Sequence, residues 1–166
     1  MNGYIVGWIS AEIVLAVVLA LLIRRYFFLF VLVKGRSMRP TLENGDIMFV
    51  LRYRGQPVRR GDVVICRFPQ SKHMLVKRVV ALPGETVSIE DGRACISGTP
   101  LEEPYARIFP QQRMDARGLE AGEYFVLGDN RLASRDSRSL GPLHAENICG
   151  RCAAVILPLR RRKRLG

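Results

Sequence analysis

The chain has 166 residues, 26 Lys and Arg against 15 Asp and Glu, a formal net charge of +11 and 48% hydrophobic residues. That length holds one membrane anchor and one compact domain and excludes two full-sized domains. The basic residues are interleaved with apolar ones, and no G-x-G-x-x-G, P-loop or H-E-x-x-H occurs, so neither nucleic acid, a nucleotide cofactor nor a zincin metal is expected.

In chain order, residues 4–23 (YIVGWISAEIVLAVVLALLI) carry one charge, Glu12, and are long enough to cross about 30 Å of hydrocarbon as a helix. A transmembrane helix is predicted there. A cleavable secretory signal competes, but no basic segment precedes the run and no small-x-small site separates it from Arg24-Arg25. A carboxyl at Glu12 is compatible with protonation, with a place near one interface, or with a partner helix, and the sequence leaves all three open.

Residues 26–33 (YFFLFVLV) are aromatic and β-branched, which predicts a strand at the membrane surface. Turn signals at 43–46, 54–62 and 82–85 separate predicted strands at 47–52, 63–68 and 74–81. Residues 86–105 read as a hairpin turning at Asp91-Gly92, followed by a Gly98-Thr99-Pro100 turn. Residues 106–122 lack periodicity and read as loop with a helical turn. Residues 123–127 are a strand, 128–141 a polar loop, and 147–157 the last strand.

The expected architecture is therefore mainly β, an N-terminal transmembrane helix followed by an all-β antiparallel-sheet domain. Its boundaries are 1–25 for the anchor, 26–158 for the domain and 159–166 for a basic tail. The tail, dense at 160–164 (RRRKR), either meets anionic lipid headgroups or is a solvated, disordered segment. Of the four cysteines, Cys66 and Cys95 are expected as small buried hydrophobes. Cys149 and Cys152 form a C-x-x-C on a predicted strand, where residues three apart point to opposite faces, so no metal is expected.

Ser37 follows Gly35 where an apolar run gives way to a Pro-containing turn, a bend that can lift a hydroxyl out of a sheet. A serine nucleophile needs a base. His73 and His144 have no evident carboxylate to orient them. Lys77 shares its strand face with Leu75, Val79 and Ala81, whereas Arg78 points the other way. Burial of that face would favour a neutral amine able to act as base.

The chain resembles the bacterial type I signal peptidases, membrane-bound serine-lysine peptidases. The nucleophile motif S-M-x-P-T-L matches residues 37–42, followed by Gly45-Asp46, and R-G-D-V-V matches 60–64. K-R-V-x-x-x-P-G-[DE] matches 77–85, and G-D-N-R-x-x-S-x-D-S-R-x-x-G matches 128–141, all in the family's order.

The resemblance implies Ser37 as nucleophile and Lys77, forty positions later, as general base, with no cofactor. It implies that Ser134 orients the amine and that Asp129, Asp136 and Arg138 tie the polar loop into an ion-paired support. Some members place a serine hydroxyl two residues before the nucleophile as an oxyanion donor; here that position is Gly35, leaving the Ser37 N–H and a second donor to be identified. Val31, Val33 and Val76 are the expected lining of shallow pockets for small substrate residues.

Implied partners are signal-peptide-bearing preproteins and membrane lipid; oligomeric state is open. The implied location is the bacterial cell membrane, single-pass, with the catalytic domain outside. No Lys or Arg precedes Arg24, so the positive-inside tendency alone would put the domain in the cytoplasm. Two alternatives are a self-cleaving or dedicated-substrate serine-lysine peptidase, and a non-catalytic, membrane-tethered module binding anionic lipid or nucleic acid.

Overall fold

An apolar run with no proline forms one helix, α1 (Asn2–Phe27), of 26 residues and about 39 Å. The computed structural model describes residues 2–106 and 110–165, and the side chains of residues 2–11 and 23–25 lie outside the described residues. Ile13, Val14, Leu15, Val17 and Leu21 of α1 are all more than half exposed. Among the described residues no helix is long and apolar enough to cross a membrane.

The helix continues into β1 (Phe28–Leu32), so Tyr26 and Phe27 are helical rather than part of the predicted strand. A short apolar run suits either state, and local tertiary contacts decide between them. Here Arg54 Nη2 donates to Tyr26 O at 2.9 Å, and its guanidinium lies 4.8 Å from the Phe27 ring centroid.

The further strands are β2 (Ile47–Arg52), β3 (Val63–Cys66), β4 (Leu75–Ala81), β5 (Thr86–Glu90), β6 (Arg93–Ile96) and β7 (Thr99–Pro100). They are followed by β8 (Met114–Gly118), β9 (Glu123–Leu127), a helical turn α2 (Ser137–Leu140), β10 (Leu143–His144), β11 (Ile148–Leu157) and β12 (Lys163–Arg164). The larger sheet runs β1-β2-β11-β3-β4-β9-β10, with β12 also paired to β11; the smaller runs β7-β6-β5-β8. All pairings are antiparallel. The mainly β, antiparallel expectation thus agrees with the structure.

Strand β2 alternates buried Met48 and Val50 with half-buried Ile47 and Phe49, the period of a sheet covered chiefly on one face. Strand β9 is buried throughout, and so is β4 from Lys77 onward, because both lie between two packed layers. On one side, Val64, Val79, Val126 and Leu143 form a core cluster; on the other, Val80, Ala81, Phe125 and Leu127 meet Val87, Ile89 and Ala94 of the smaller sheet. A third cluster, including Val33, Met38, Leu42, Met48 and Cys152, lies beneath the turn that follows β1.

The β5–β6 hairpin turns at Asp91-Gly92 as predicted, with φ of 48° and 77°, the type I′ arrangement that matches strand twist. The next turn is Ser97-Gly98 (φ 50° and 81°), and Thr99-Pro100 is strand rather than turn. In the segment 106–122, residues 107–109 lie outside the described residues. The remainder holds β8, paired to β5, and no helical turn among the described residues. The strand MDARG is exposed over four of its five positions, so it has no apolar alternation to betray it.

The segment after residue 158 is ordered: a 3-10 turn (Leu159–Arg161) leads to β12, and Leu165 is buried. Strand β11 carries an irregularity between Ile148 and Gly150. Buried Ile148, Gly150 and Cys152 nevertheless alternate with half-buried Cys149 and Arg151, and Cys149 still packs against the cluster that contains Cys152. All four cysteines are free, and Cys66 and Cys95 are buried as expected.

Phe125, fully buried where the two sheets meet, is the sharpest test of this packing. Phe125→Ala is expected to lower the unfolding free energy by about 3–5 kcal/mol in urea titrations of the detergent-solubilised chain.

Candidate active site

The turn carrying Ser37 is held from both ends. Val33 N–H donates to Asp46 O at 2.8 Å and Gly45 N–H to Val33 O at 2.9 Å, joining the end of β1 to the turn before β2. Met38 and Leu42 are buried in the cluster below, and Leu42 N–H donates to Met38 O at 2.8 Å. Ser37 between them is left half-buried. Gly35 has φ of 102°, where a side chain would be strained, a physical reason for glycine at this position in the chain.

Across from this turn, Lys77 is 2% exposed, and its Nζ donates to Ser37 Oγ at 3.0 Å. Val64 faces Lys77 across the β3–β4 pair, and Leu75 and Val79 flank it on its own strand within the same apolar cluster. Burial pushes the Lys77 pKa below the ordinary 10.5; the Arg138 charge adds to the fall, while Asp136, Cys66 and Asp129 oppose it. The Cys66 thiol, buried beside the same amine, is itself pushed up to about 12 by desolvation and stays protonated.

The segment 128–141 reads as a polar surface loop by composition, yet Asp129, Arg131, Asp136 and Ser137 are all buried. Each is satisfied by a partner. Asp129 takes a two-pronged pair from Arg78, Nε to Oδ1 at 2.9 Å and Nη2 to Oδ2 at 2.7 Å, and the same guanidinium donates to Gly61 O and lies 4.1 Å from the Tyr105 ring centroid. Arg131 pairs with buried Glu103. Ser137 Oγ accepts from Val126 N–H at 3.0 Å, tying α2 to β9.

Asp136, wholly buried at the N-cap of α2, accepts from Arg138 Nε at 2.8 Å and from Gly128 N–H at 3.0 Å. Burial alone would raise this carboxyl. The Arg138 contact, then the Gly128 N–H, outweigh burial and hold it below the ordinary 3.8.

Ser134 Oγ is buried and makes no hydrogen bond of ordinary length and angle among the described residues, although it lies close enough to Asp136 to help lower that carboxyl's pKa. It lies where Gly128, Ser134 and the Ser37 backbone converge: a Cβ on Gly128 would stand 2.2 Å from Ser134 Oγ and 2.5 Å from Ser37 O. Only a residue without a side chain fits there. Asn130 clips the two loops together, its N–H donating to Ser37 O at 3.0 Å and its Nδ2 to Arg36 O at 3.2 Å.

The structure therefore gathers Ser37, Lys77, Ser134, Asp136 and Arg138 at one place and brings in Asp129 through Arg78. Val33 is buried, and Val31 and Val76 are half-buried against the same cluster as Met38 and Leu42, an apolar floor beside Ser37. Among the described residues the Ser37 N–H has no acceptor. The Gly35 N–H, in contrast, is occupied by Asn44 Oδ1 at 3.0 Å, so Gly35 has no free donor to offer an oxyanion.

His73 and His144 are exposed, and His144 has a carboxylate neighbour after all, Glu123 at 3.7 Å. Three supporting residues have no role assigned from the sequence: Arg78 and Asn130, which stand inside the K-R-V and G-D-N-R motifs, and Arg161, which no motif marks. Arg161, in the supposed tail, grips buried Asp46, Nε to Oδ1 at 2.9 Å and Nη2 to Oδ2 at 3.2 Å, and so pins the turn whose Asn44 holds Gly35. The two partners are 115 residues apart, and no local signal links them.

The Asp136–Arg138 pair makes stability depend on acid. Because the folded carboxyl titrates below 3.8, its contribution is complete above that value and is lost as pH falls through the lowered pKa. Asp136→Asn is expected to cost about 3–5 kcal/mol at pH 7 by leaving a buried guanidinium unpaired. In urea unfolding followed from pH 7 to pH 2, the gap to wild type is expected to narrow at the acid end.

A family model described as signal peptidase, peptidase S26, matches residues 5–157. Signal peptidase I of Bacillus licheniformis is 39% identical over 168 residues, covering 91% of this chain and 88% of its own. Signal peptidase I T of Bacillus subtilis (strain 168) is 40% identical over 163 residues, covering 88% and 82%. The crystal structure of a signal peptidase I from Enterococcus faecalis V583 superposes with a TM-score of 0.51 at 29% identity, over 58% of this chain and 97% of that one. A match across nearly the whole chain, joined to relatives that share more than a third of their residues, establishes that the chain belongs to the signal peptidase family, peptidase S26.

Proposed function

We propose that the chain is a membrane-bound serine endopeptidase that removes N-terminal signal peptides from exported preproteins after small residues, with Ser37 as nucleophile and Lys77 as general base. The observation that carries this is the 3.0 Å contact between the Ser37 hydroxyl and an amine that is 2% exposed. In the neutral state favoured by burial, the amine lone pair accepts the Ser37 proton along that contact as Oγ attacks the scissile carbonyl. The ammonium so formed gives its proton to the leaving amine. The amine, neutral again, then takes a proton from the water that attacks the acyl-enzyme and returns it to Ser37 Oγ as the acyl–oxygen bond breaks, which regenerates both groups.

The Ser37 N–H, without an acceptor among the described residues, is available to the tetrahedral oxyanion. The buried Ser134 Oγ, which makes no hydrogen bond of ordinary length and angle among the described residues, fits the orienting role for the amine once substrate excludes water. Asp136–Arg138 and Asp129–Arg78 hold that loop in place without touching the reacting atoms. Val31, Val33 and Val76 form a shallow floor on which small residues at the first and third positions before the cut would rest.

Residues 1–25 act as the anchor, with a single transmembrane span at 4–23, and residues 26–158 form the catalytic domain on the extracytoplasmic side, where signal peptides emerge. Large domains cross regardless of flanking charge, which accounts for the absence of basic residues before Arg24. Protease accessibility on intact protoplasts checks that orientation.

Detergent-solubilised protein incubated with an Ala-x-Ala preprotein should cleave it, and Ser37→Ala and Lys77→Ala should each abolish cleavage while leaving thermal unfolding cooperative. Full activity in either variant would remove this mechanism. Because burial lowers the Lys77 pKa, kcat/KM should rise with pH along a limb whose midpoint lies below the ordinary lysine value of 10.5. A limb centred on 10.5 would contradict a buried base.

A further inference from the structure

An arginine-lined cleft of about 630 Å³ opens between the end of β2, the loop leading to β3, and β11. Arg52, Arg59, Arg60 and Arg151 face it, with Asp62 the acidic residue of its lining. Arg60 is engaged with Glu85, and Arg151 Nη1 comes no nearer than 3.7 Å to Asp62. Arg52 and Arg59 have no ion pair among the described residues, and Arg52 Nε is buried without any hydrogen-bond partner. A guanidinium nitrogen removed from water and unpaired is costly unless an anion completes it. The planar forks of several arginines suit phosphate oxygens in particular.

We propose that this cleft binds the phosphodiester headgroup of an anionic phospholipid. The inference rests on the membrane-bound reading above, and the position of the cleft identifies lipid as the source of the phosphate. Arg52 and Tyr53 also line an adjoining opening shared with Tyr26, Arg54 and Cys149, where α1 leaves for the domain. Tyr26, Phe27, Phe30 and Leu32 around that exit are about half exposed, an aromatic and aliphatic collar of the kind that settles at a bilayer interface. Leu51, Arg151, Val64 and Lys77 are successive partners across β2, β11, β3 and β4, so a headgroup held at Arg151 lies two strands from Lys77 on the same row.

The test uses the full chain in neutral detergent micelles, titrated with phosphatidylglycerol, phosphatidylcholine or inorganic phosphate. Binding is read by microscale thermophoresis and by protection of Arg52 and Arg151 from phenylglyoxal in mass spectra. Saturable binding of phosphatidylglycerol alone, weakened about tenfold by Arg52→Gln or Arg151→Gln and unchanged by Arg162→Gln, is the expected result. Undiminished binding in the Arg52→Gln, Arg151→Gln double variant overturns the proposal, and so does equal saturation by inorganic phosphate or loss of binding through Arg162→Gln. Thermal unfolding of each variant without lipid, matching the parent, shows that the arginine and not the fold was lost. Carbonate extraction from phosphatidylcholine vesicles tests the anchor separately: release there would defeat the membrane-bound reading, while the micelle titration still decides the cleft.

Discussion

A lysine side chain enclosed by Val64, Leu75 and Val79 can keep an ammonium only at the expense of its hydration, and that penalty governs the site. The Ser37 hydroxyl, 3.0 Å away, is the group to which the amine is hydrogen-bonded. Everything nearby either dries the amine or limits the charge around it. The carboxylates Asp136 and Asp129 oppose the fall in pKa, but each is already matched to a guanidinium, Arg138 and Arg78, so neither is left to pair with the lysine. Two ion pairs standing behind the amine therefore raise its pKa less than one unpaired carboxylate beside it would.

Those pairs also explain why a charged, turn-rich segment is found inside the molecule. Burying Asp129, Arg131 and Ser137 is tolerable because their polar groups meet partners on three different elements, Arg78 of β4, Glu103 beyond β7, and Val126 of β9, while Asp136 is matched within the segment by Arg138 and Gly128. The loop is thereby fixed against the nucleophile turn, and Asn130 completes the contact through Ser37 O and Arg36 O. Gly128 permits the approach, since any side chain there would strike Ser134 and the Ser37 carbonyl. Rigidity of this sort matters to a base and nucleophile that must meet within a few tenths of an ångström.

The excess positive charge acquires two separate meanings once folded. Arg161 is drawn inward to Asp46 and steadies the turn before β2, while Arg52 and Arg151 border a cleft near the exit of α1. The dense basic run at the C-terminus is thus not one functional unit: part of it is a clamp, and part is the short strand β12 on the edge of β11.

Much of this was legible from the chain alone. Alternation and turn residues placed β2, β5, β6 and β9 closely, and the spaced motifs singled out Ser37, Lys77 and the 128–141 segment, because period-two burial and glycine-bearing turns are local properties. What depends on partners distant in the chain was not legible. The edge strand β8 has no apolar pattern, Arg161 meets Asp46 across 115 residues, the Gly35 N–H proves to be taken by Asn44, and half-buried Cys149 packs against the same cluster as Cys152. The amino-acid order by itself determined which groups could do chemistry and roughly which elements carry them. Tertiary structure alone decided that Lys77 is dry, that it reaches Ser37, and which backbone donors stay free, because desolvation and hydrogen-bond occupancy are set by whatever packs on a residue and not by its neighbours in sequence.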